Sequence, residues 1–296
     1  MASLSRKDWI LLALLTLCWG INWPVMKIGV LDFPPLAFRT LCMAGSLPAI
    51  WLVARFQRVS LAIPPGQLKS VIKVTLPNML VWHFFIIYGV KLLSSGRVAI
   101  LGYTMPVWAV LFGLLFYGER ISHVAWLGVG CALAGALLLL SAEVGTMAGQ
   151  PLGSVLALIA AAGWGYGTVL LKRTQIDMPT LALTFWMIAL AAIAMLAATV
   201  LFEIHLWRRP TPAETAAIIY NALIVFGFAH VVWFKLARTL PPVASSLSVM
   251  LIPVVGVFSG ALLLGETPHW QDYAAMGLIL IAMSSVLLKP KASDTI

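Results

Sequence analysis

Two histidines stand inside long apolar stretches of this 296-residue chain. His83 lies near the middle of one stretch, and His230 follows it 147 residues later in another. An imidazole can hydrogen-bond a solute or exchange a proton near neutral pH, and it can equally satisfy a backbone carbonyl between packed helices. We predict that both rings line a cavity for a solute, with structural hydrogen bonding as the alternative.

Tryptophan is the second distinctive side chain, with 12 copies. Trp19, Trp82 and Trp164 fall near the centres of apolar stretches. Trp19, Asn22 and Trp23 follow i, i+3, i+4 spacing and therefore share one helix face. Such a face can bury an apolar group and orient a polar one, although core packing would use the same residues. The predicted substrate-binding residues are Trp19, Asn22, Trp23, Trp82, His83, Tyr103, Trp164 and His230.

Three prolines interrupt apolar stretches in which a regular helix is otherwise expected. Pro24, Pro106 and Pro253 each remove a backbone donor, favour a kink and free a carbonyl oxygen. Pro106 and Pro253 are again 147 residues apart, so both halves of the chain contain this feature. We predict that the three prolines act as hinges.

The residue types that usually carry catalysis or bind metals are poorly placed for either role. All ten Asp and Glu residues lie at the ends of apolar stretches or in loops. Cys18, Cys42 and Cys131 lack metal-like spacing and are expected to be small packed side chains. No HExxH, GxSxG or phosphate-binding loop pattern occurs. The sequence predicts no catalytic residue, no metal, no cofactor and no enzymatic activity.

Composition indicates which elements hold these residues. The chain is 61% hydrophobic and 10% charged, with a mean hydropathy of +1.00, whereas about a quarter of a soluble domain is charged. The expected solvent is therefore a bilayer, which a helix of about 20 apolar residues can span. We predict an all-α integral membrane protein with ten transmembrane helices. The predicted spans are 9–30, 33–54, 69–91, 95–117, 123–142, 152–173, 180–202, 213–235, 240–264 and 270–288.

The distribution of positive charge predicts the orientation. Thirteen of the 19 Lys and Arg residues fall on the side that holds both chain ends, so the positive-inside bias places both termini in the cytoplasm. The formal net charge of +9 then reflects topology and does not indicate nucleic-acid binding. The expected anchors at the headgroup level are Trp9, Trp51, Trp207 and Trp270.

An internal repeat organises the chain. The matched pairs are His83 with His230, Pro106 with Pro253, Gly113 with Gly260, Gly118-Glu119 with Gly265-Glu266 and Gly130 with Gly277 at an offset of 147, and Trp19-Gly20 with Trp164-Gly165 at an offset of 145. We predict two five-helix repeats, 1–147 and 148–296, of inverted topology because five is odd. Such pairs supply two exchangeable states around a midplane site. Glu119 and Glu266 are expected either to form a gate or an ion pair with a neighbouring loop, or to be polar ends of their helices.

These residues carry a family resemblance. Trp19-Gly20 with Pro24, and the doubled Pro…Gly-Glu helices that end at Glu119 and Glu266, resemble the ten-helix EamA branch of the drug/metabolite transporter superfamily. The segment 7–23 is similar to the YddG-like group of aromatic amino-acid exporters. The resemblance implies a central cavity surrounded by helices 1, 3, 4, 6, 8 and 9, with helices 2, 5, 7 and 10 packed outside.

The predicted function is secondary transport by alternating access, in the export direction, of small organic metabolites such as amino acids with aromatic or large apolar side chains. A nucleoside, purine or phosphorylated-metabolite carrier is the alternative within the superfamily. A phosphate would need converging cations at depth, and the only candidates, all near span ends, are Arg39, Lys73, Lys91 and Arg97. A membrane scaffold or an intramembrane enzyme is the alternative from another class. The expected partners are a small-molecule substrate and the lipid bilayer, without nucleic acid, for a monomer in the cell inner membrane.

Overall fold

A computed structural model describes residues 6–119, 122–144, 150–233 and 242–287, with the side chains of 7–8, 242–248 and 286–287 outside that description. These residues form ten long helices and no β-strand. The helices are α1 (Arg6–Val30), α2 (Pro35–Phe56), α3 (Leu68–Leu92), α4 (Ser95–Tyr117), α5 (His123–Val144), α6 (Pro151–Arg173), α7 (Thr180–Phe202), α8 (Pro212–Trp233), α9 (Pro242–Leu264) and α10 (Trp270–Leu287). Eight of them are long and apolar enough to cross a membrane, and α9 contains the shorter apolar segment Val249–Leu264. The predicted all-α membrane architecture is confirmed.

The predicted helix ends that fall on described residues agree with the structure to within two residues, except that α1 begins three residues earlier, at Arg6. The start of α2 lies two residues later than predicted, because Pro34 precedes another proline, which disfavours helical backbone at position 34. Pro34 is accordingly extended (φ −60°, ψ 126°), and the helix begins with Pro35 in its first turn, where a missing N–H costs nothing. The predicted ends at 235, 240 and 288, and the repeat boundary between 147 and 148, lie outside the described residues. Five of the Lys and Arg residues used to predict the orientation also lie outside the described residues, namely Arg120, Lys235, Arg238, Lys289 and Lys291.

The helices pack with a pseudo-twofold relation. α2 packs against α7 and α5 packs against α10, so each of these helices meets its own counterpart in the other repeat. α1 packs against α9 just as α6 packs against α4, and α6 also meets α3 just as α1 meets α8. An inverted repeat requires this exchange of equivalent contacts.

Two matched glycines allow close packing at the equivalent α6–α4 and α1–α9 contacts. A β-carbon on Gly165 would lie 2.8 Å from the backbone nitrogen of Ala109 and 2.8 Å from the carbonyl oxygen of Met105. A β-carbon on Gly20 would overlap a methyl carbon of Val255. Small residues let helix backbones approach in a membrane. In each repeat, the Trp-Gly motif therefore places a tryptophan next to a glycine at a close helix contact. Gly165 lies where α6 packs against α4, and Gly20 lies where α1 packs against α9.

We expect Gly165→Ala to lower the melting temperature of the purified protein in detergent. The added methyl group would overlap the backbone of α4, and overpacking typically costs about 1–3 kcal/mol. Gly130→Ala is the matched control because, among the described residues, no atom lies within 4 Å of its added β-carbon. Alanine is favoured over glycine in a helix by about 0.5–1 kcal/mol. Equal melting temperatures for both variants would contradict the close approach of α4 and α6.

Candidate functional site

A central cavity of about 80 Å³ lies among α1, α2, α3, α4, α6 and α8. It has room for several water molecules. Its walls bring together all eight predicted substrate-binding residues, namely Trp19, Asn22, Trp23, Trp82, His83, Tyr103, Trp164 and His230. The other lining residues are Met26, Arg39, Ile86, Met105 and Val225. Substrate binding by these residues remains a prediction.

Two aromatic pairs form part of the cavity wall. The ring of Trp19 in α1 lies edge-on to His230 in α8 at a centroid distance of 5.6 Å. The ring of Trp164 in α6 lies edge-on to Trp82 in α3 at 5.2 Å. The helix pairs α1–α8 and α6–α3 are equivalent in the two repeats. Each of the two equivalent helix pairs therefore contributes one edge-on aromatic contact to the cavity wall.

Each histidine helix contains a π-helical segment directly before its histidine. Leu76–Val81 in α3 precedes Trp82 and His83, and Tyr220–Ala229 in α8 precedes His230. π-Helical turns are rare in proteins overall, but those that do occur are often found at functional sites. Since each extra residue rotates the following face by about 100°, these segments decide which side chains meet the cavity. Hydropathy predicts only an apolar helix here, so the π segments were missed.

Trp23 and Tyr103 are buried residues of the cavity wall. Their rings are 4% and 5% exposed and lie edge-on, 6.2 Å apart. Tyr103 stands where α4 is interrupted, between the helical pieces Ser95–Gly102 and Met105–Tyr117. The predicted hinge Pro106 lies in the first turn of the second piece. Pro24 and Pro253 lie inside continuous helices, so the equivalent prolines of α4 and α9 differ in local structure, and their hinge role stays a prediction.

Several buried polar atoms at the cavity wall have no hydrogen-bond partner among the described residues. They are Oδ1 of Asn22, Nε1 of Trp23, Nε of Arg39 and both ring nitrogens of His83. Buried polar atoms in proteins are nearly always paired, and leaving one unpaired costs about 1–3 kcal/mol. His230 differs, since its Nδ1 lies 2.8 Å from a carbonyl oxygen of its own helix. Unpaired polar atoms at one cavity indicate a site for water or a polar ligand.

Arg39 is the charged lining residue among those that sequence reasoning missed. We assigned it to a span end, but its side chain is only 1% exposed and reaches the cavity. The helix begins at Pro35, which places Arg39 more than one turn inside α2. The resemblance implied that α2 packs outside, and this is wrong at Arg39. A charged residue within an apolar span is by default a functional candidate, and that signal could have identified it. No described side chain of α9 lines the cavity.

Carboxylates cap two helices at one end of the bundle, which we call the capped end. It holds residues 31–34, 93–94, 203–211 and 265–269. The carboxylate of Glu266 accepts hydrogen bonds from Ser95 N (2.7 Å), Ser95 Oγ (2.8 Å) and Gly96 N (3.3 Å) at the start of α4. Glu203 accepts hydrogen bonds from two backbone nitrogens at the start of α2, at 2.9 and 3.1 Å. Negative charge at a helix N-terminus is stabilising.

The capped end also contains a buried ion-pair cluster. Arg97 pairs with Glu143 and donates to Asp272 at 2.7 Å, and all three side chains are at most 13% exposed. At the opposite end, where α1 begins and α10 ends, Glu119 pairs with Arg173, and their side chains are 52% and 41% exposed. Glu119 and Glu266 are repeat partners, so the same residue has a part-buried contact at one end and an exposed one at the other.

Arg97→Ala should lower the melting temperature markedly, since it would leave Glu143 and Asp272 buried without the guanidinium. Breaking a buried pair typically costs about 3–5 kcal/mol. Arg173→Ala is the matched control, because exposed pairs contribute about 0–1 kcal/mol. Thermal unfolding of both variants in detergent tests this. A loss at Arg97 no larger than that at Arg173 would mean that the cluster contributes no more than a surface pair.

Two stretches of the chain, 7–141 and 151–288, match the model of the EamA-like transporter family. The chain belongs to this family. The transporter YoaV of Bacillus subtilis, named as uncharacterized, is 30% identical over 253 residues, which cover 85% of this chain and 86% of the relative. A probable amino-acid metabolite efflux pump of Salmonella typhimurium is 25% identical over 290 residues, covering 95% and 94%. A solved crystal structure shares the fold, with a TM-score of 0.68 at 21% identity and coverage of 96% and 98%.

Membership in the EamA-like family confirms the resemblance to EamA-type transporters and the predicted role in membrane transport. The inner membrane transporter YedA of Escherichia coli, also named as uncharacterized, is 28% identical over 280 residues, covering 93% of this chain and 88% of the relative. These relatives are named as transporters and not as enzymes. This EamA-like protein is a multi-pass membrane transporter.

Proposed function

We propose that this EamA-like transporter exports amino acids with aromatic or other large apolar side chains. The observation that carries the proposal is a central cavity where indole rings adjoin buried, unpaired polar atoms. The indoles would bury an apolar side chain, a gain of about 25 cal/mol per Å². Asn22 and His83 would orient the polar head. The relative named as a probable amino-acid metabolite efflux pump supports both the substrate class and the direction.

Passage through the protein requires the cavity to widen, because about 80 Å³ is small beside the 300–1,000 Å³ typical of ligand pockets. We expect α3–α4 and α8–α9 to rock and to bend at Pro106 and Pro253, as alternating access requires. The interruption of α4 at Tyr103 and the π segments of α3 and α8 favour bending, because regular helical hydrogen bonding is already broken there. Release at the capped end would separate Glu266 from the start of α4.

A nucleoside, purine or phosphorylated-metabolite carrier remains the alternative within the family. Among the described residues Arg39 is the one Lys or Arg that lines the cavity, and Lys73, Lys91 and Arg97 do not. A phosphate ester carries up to two negative charges, so a single cation is a poor match for it. Aromatic walls would also accept a purine, and purines therefore belong in the transport test.

Liposomes that contain only this protein should take up labelled L-phenylalanine or L-tryptophan down a gradient. Trp19→Ala and Trp164→Ala should reduce this flux by about tenfold or more, the effect of losing roughly 1.4 kcal/mol of binding. Their melting temperatures should stay close to that of the parent, because both rings adjoin a cavity. The control is Trp51→Ala, whose ring is 49% exposed on the outer surface and whose flux should be unchanged.

Three outcomes would contradict this reading. A large loss of thermal stability in both tryptophan variants would assign the rings to packing, since truncating a buried Trp costs about 3–5 kcal/mol. Flux of adenine without flux of either amino acid would favour the purine carrier. No flux of any solute would favour the scaffold.

We also propose a monomer in the inner membrane with both termini in the cytoplasm. The positive-inside bias supports the orientation, and a cavity lined within one chain supports the monomer. A reporter that is active only in the cytoplasm should be active when fused after Ile296, and a periplasm-specific reporter should be silent. The reverse pattern would overturn the orientation, and a mass of two chains by light scattering in detergent would overturn the monomer.

A further inference from the structure

Arg39 is a buried cation at the central cavity, and no described residue serves it as an anionic partner. Its Nη2 donates to the thioether sulfur of Met26 at 2.9 Å, and its Nε has no hydrogen-bond partner. No described carboxylate lies within 4 Å of the guanidinium. A thioether is a weak acceptor, and a guanidinium does not lose its proton in proteins. The positive charge therefore persists in a region where an unpaired charge is costly.

Two aromatic rings hold the guanidinium in place without neutralising it. Its central carbon lies 6.0 Å from the ring centre of Phe38 and 5.8 Å from that of Phe226. The Phe226 ring also lies 5.1 Å from the ring of His83 and 5.2 Å from that of His230. Cation–π contact is attractive but does not use the in-plane N–H donors of the guanidinium, of which Nε has no partner among the described residues. The arginine is thus positioned beside the two histidines with donor capacity to spare.

The chemistry of the lining residues selects the kind of anion. A guanidinium matches a carboxylate with two parallel hydrogen bonds, and one lining cation suits a single negative charge. The described lining residues include no Asp or Glu, so a substrate ammonium group would meet only neutral acceptors such as Oδ1 of Asn22. The indoles of Trp82 and Trp164 suit an apolar or aromatic body.

We propose that Arg39 binds the carboxylate of the substrate, and that the cavity accepts aromatic monocarboxylates whether or not they carry an amino group. This inference rests on the proposed function, because it concerns the same cavity. It deepens that function by making the carboxylate the recognised group and the ammonium an optional one. Decarboxylated amines of the same shape are then excluded, since their positive charge would face that of Arg39.

Binding to the full-length protein in detergent separates these groups. L-Phenylalanine, 3-phenylpropionate and phenethylamine share one aromatic body and differ only in the polar head. We expect the first two to bind with dissociation constants within about threefold of each other and the amine to bind at least about tenfold more weakly, as expected for loss of a charge-assisted hydrogen bond. Tryptophan fluorescence or calorimetry gives these constants, and this comparison needs no variant.

Variants test the residue itself. Arg39→Met should weaken binding of both acids by at least about tenfold, and Arg39→Lys should restore part of it, because a lysine keeps the charge without the fork. The matched control is Lys73→Met, at an exposed position of α3 away from the cavity, which should bind both acids as the parent does. A role in packing alone predicts that Arg39→Lys and Arg39→Met bind the acids equally.

Each contrary result has a separate meaning. Equal binding of phenethylamine and L-phenylalanine, or unchanged acid binding in Arg39→Met, would overturn the carboxylate site while leaving amino-acid transport intact. Binding of 3-phenylpropionate that depends on Arg39, together with no flux of L-phenylalanine in liposomes, would overturn amino-acid export and support the carboxylate site. If neither acid binds the parent protein, the carboxylate site is wrong.

Discussion

A polar group within a bilayer must find its partner inside the protein, because lipid offers none. At the capped end, backbone nitrogens and a largely buried arginine find such partners. Glu203 and Glu266 supply acceptors to the first backbone nitrogens of α2 and α4, and Arg97 lies between two carboxylates. At the central cavity this requirement is not met among the described residues, since atoms of His83 and Asn22 at the wall have no partner there. The two regions therefore differ in how fully their polar groups are paired.

The inverted repeat explains how one chain can have two such different ends. The same residues recur in each half, but their contacts need not be equal at any moment. Glu266 is bound to the start of α4, whereas its partner Glu119 meets an exposed arginine. Likewise α4 is interrupted before Pro106, whereas α9 is continuous through Pro253. Unequal contacts between equivalent halves are what an inverted repeat needs in order to exchange one state for another.

The buried guanidinium of Arg39 is the one charged group among the described lining residues, so the cavity lining is positively charged. A carboxylate partner within the protein would neutralise Arg39 and leave little attraction for a solute, and a fully hydrated position would screen the charge. The contacts with Met26 and the phenylalanine rings orient the side chain and avoid both outcomes. A transporter must also release what it binds, so a single cation is more suitable than a cluster that would hold an anion tightly.

The sequence by itself determined the membrane environment, ten spans, the inverted repeat and the eight residues at the cavity. These follow from hydropathy, from segment length and from self-similarity at offsets near 147, all of which are properties of the linear chain. Only the tertiary structure decided the π segments before His83 and His230, the break in α4 and the position of Arg39. Side-chain direction depends on the local hydrogen-bond register and on the neighbouring helix. A one-residue change of register within an apolar run leaves composition unchanged but turns every later side chain to another face.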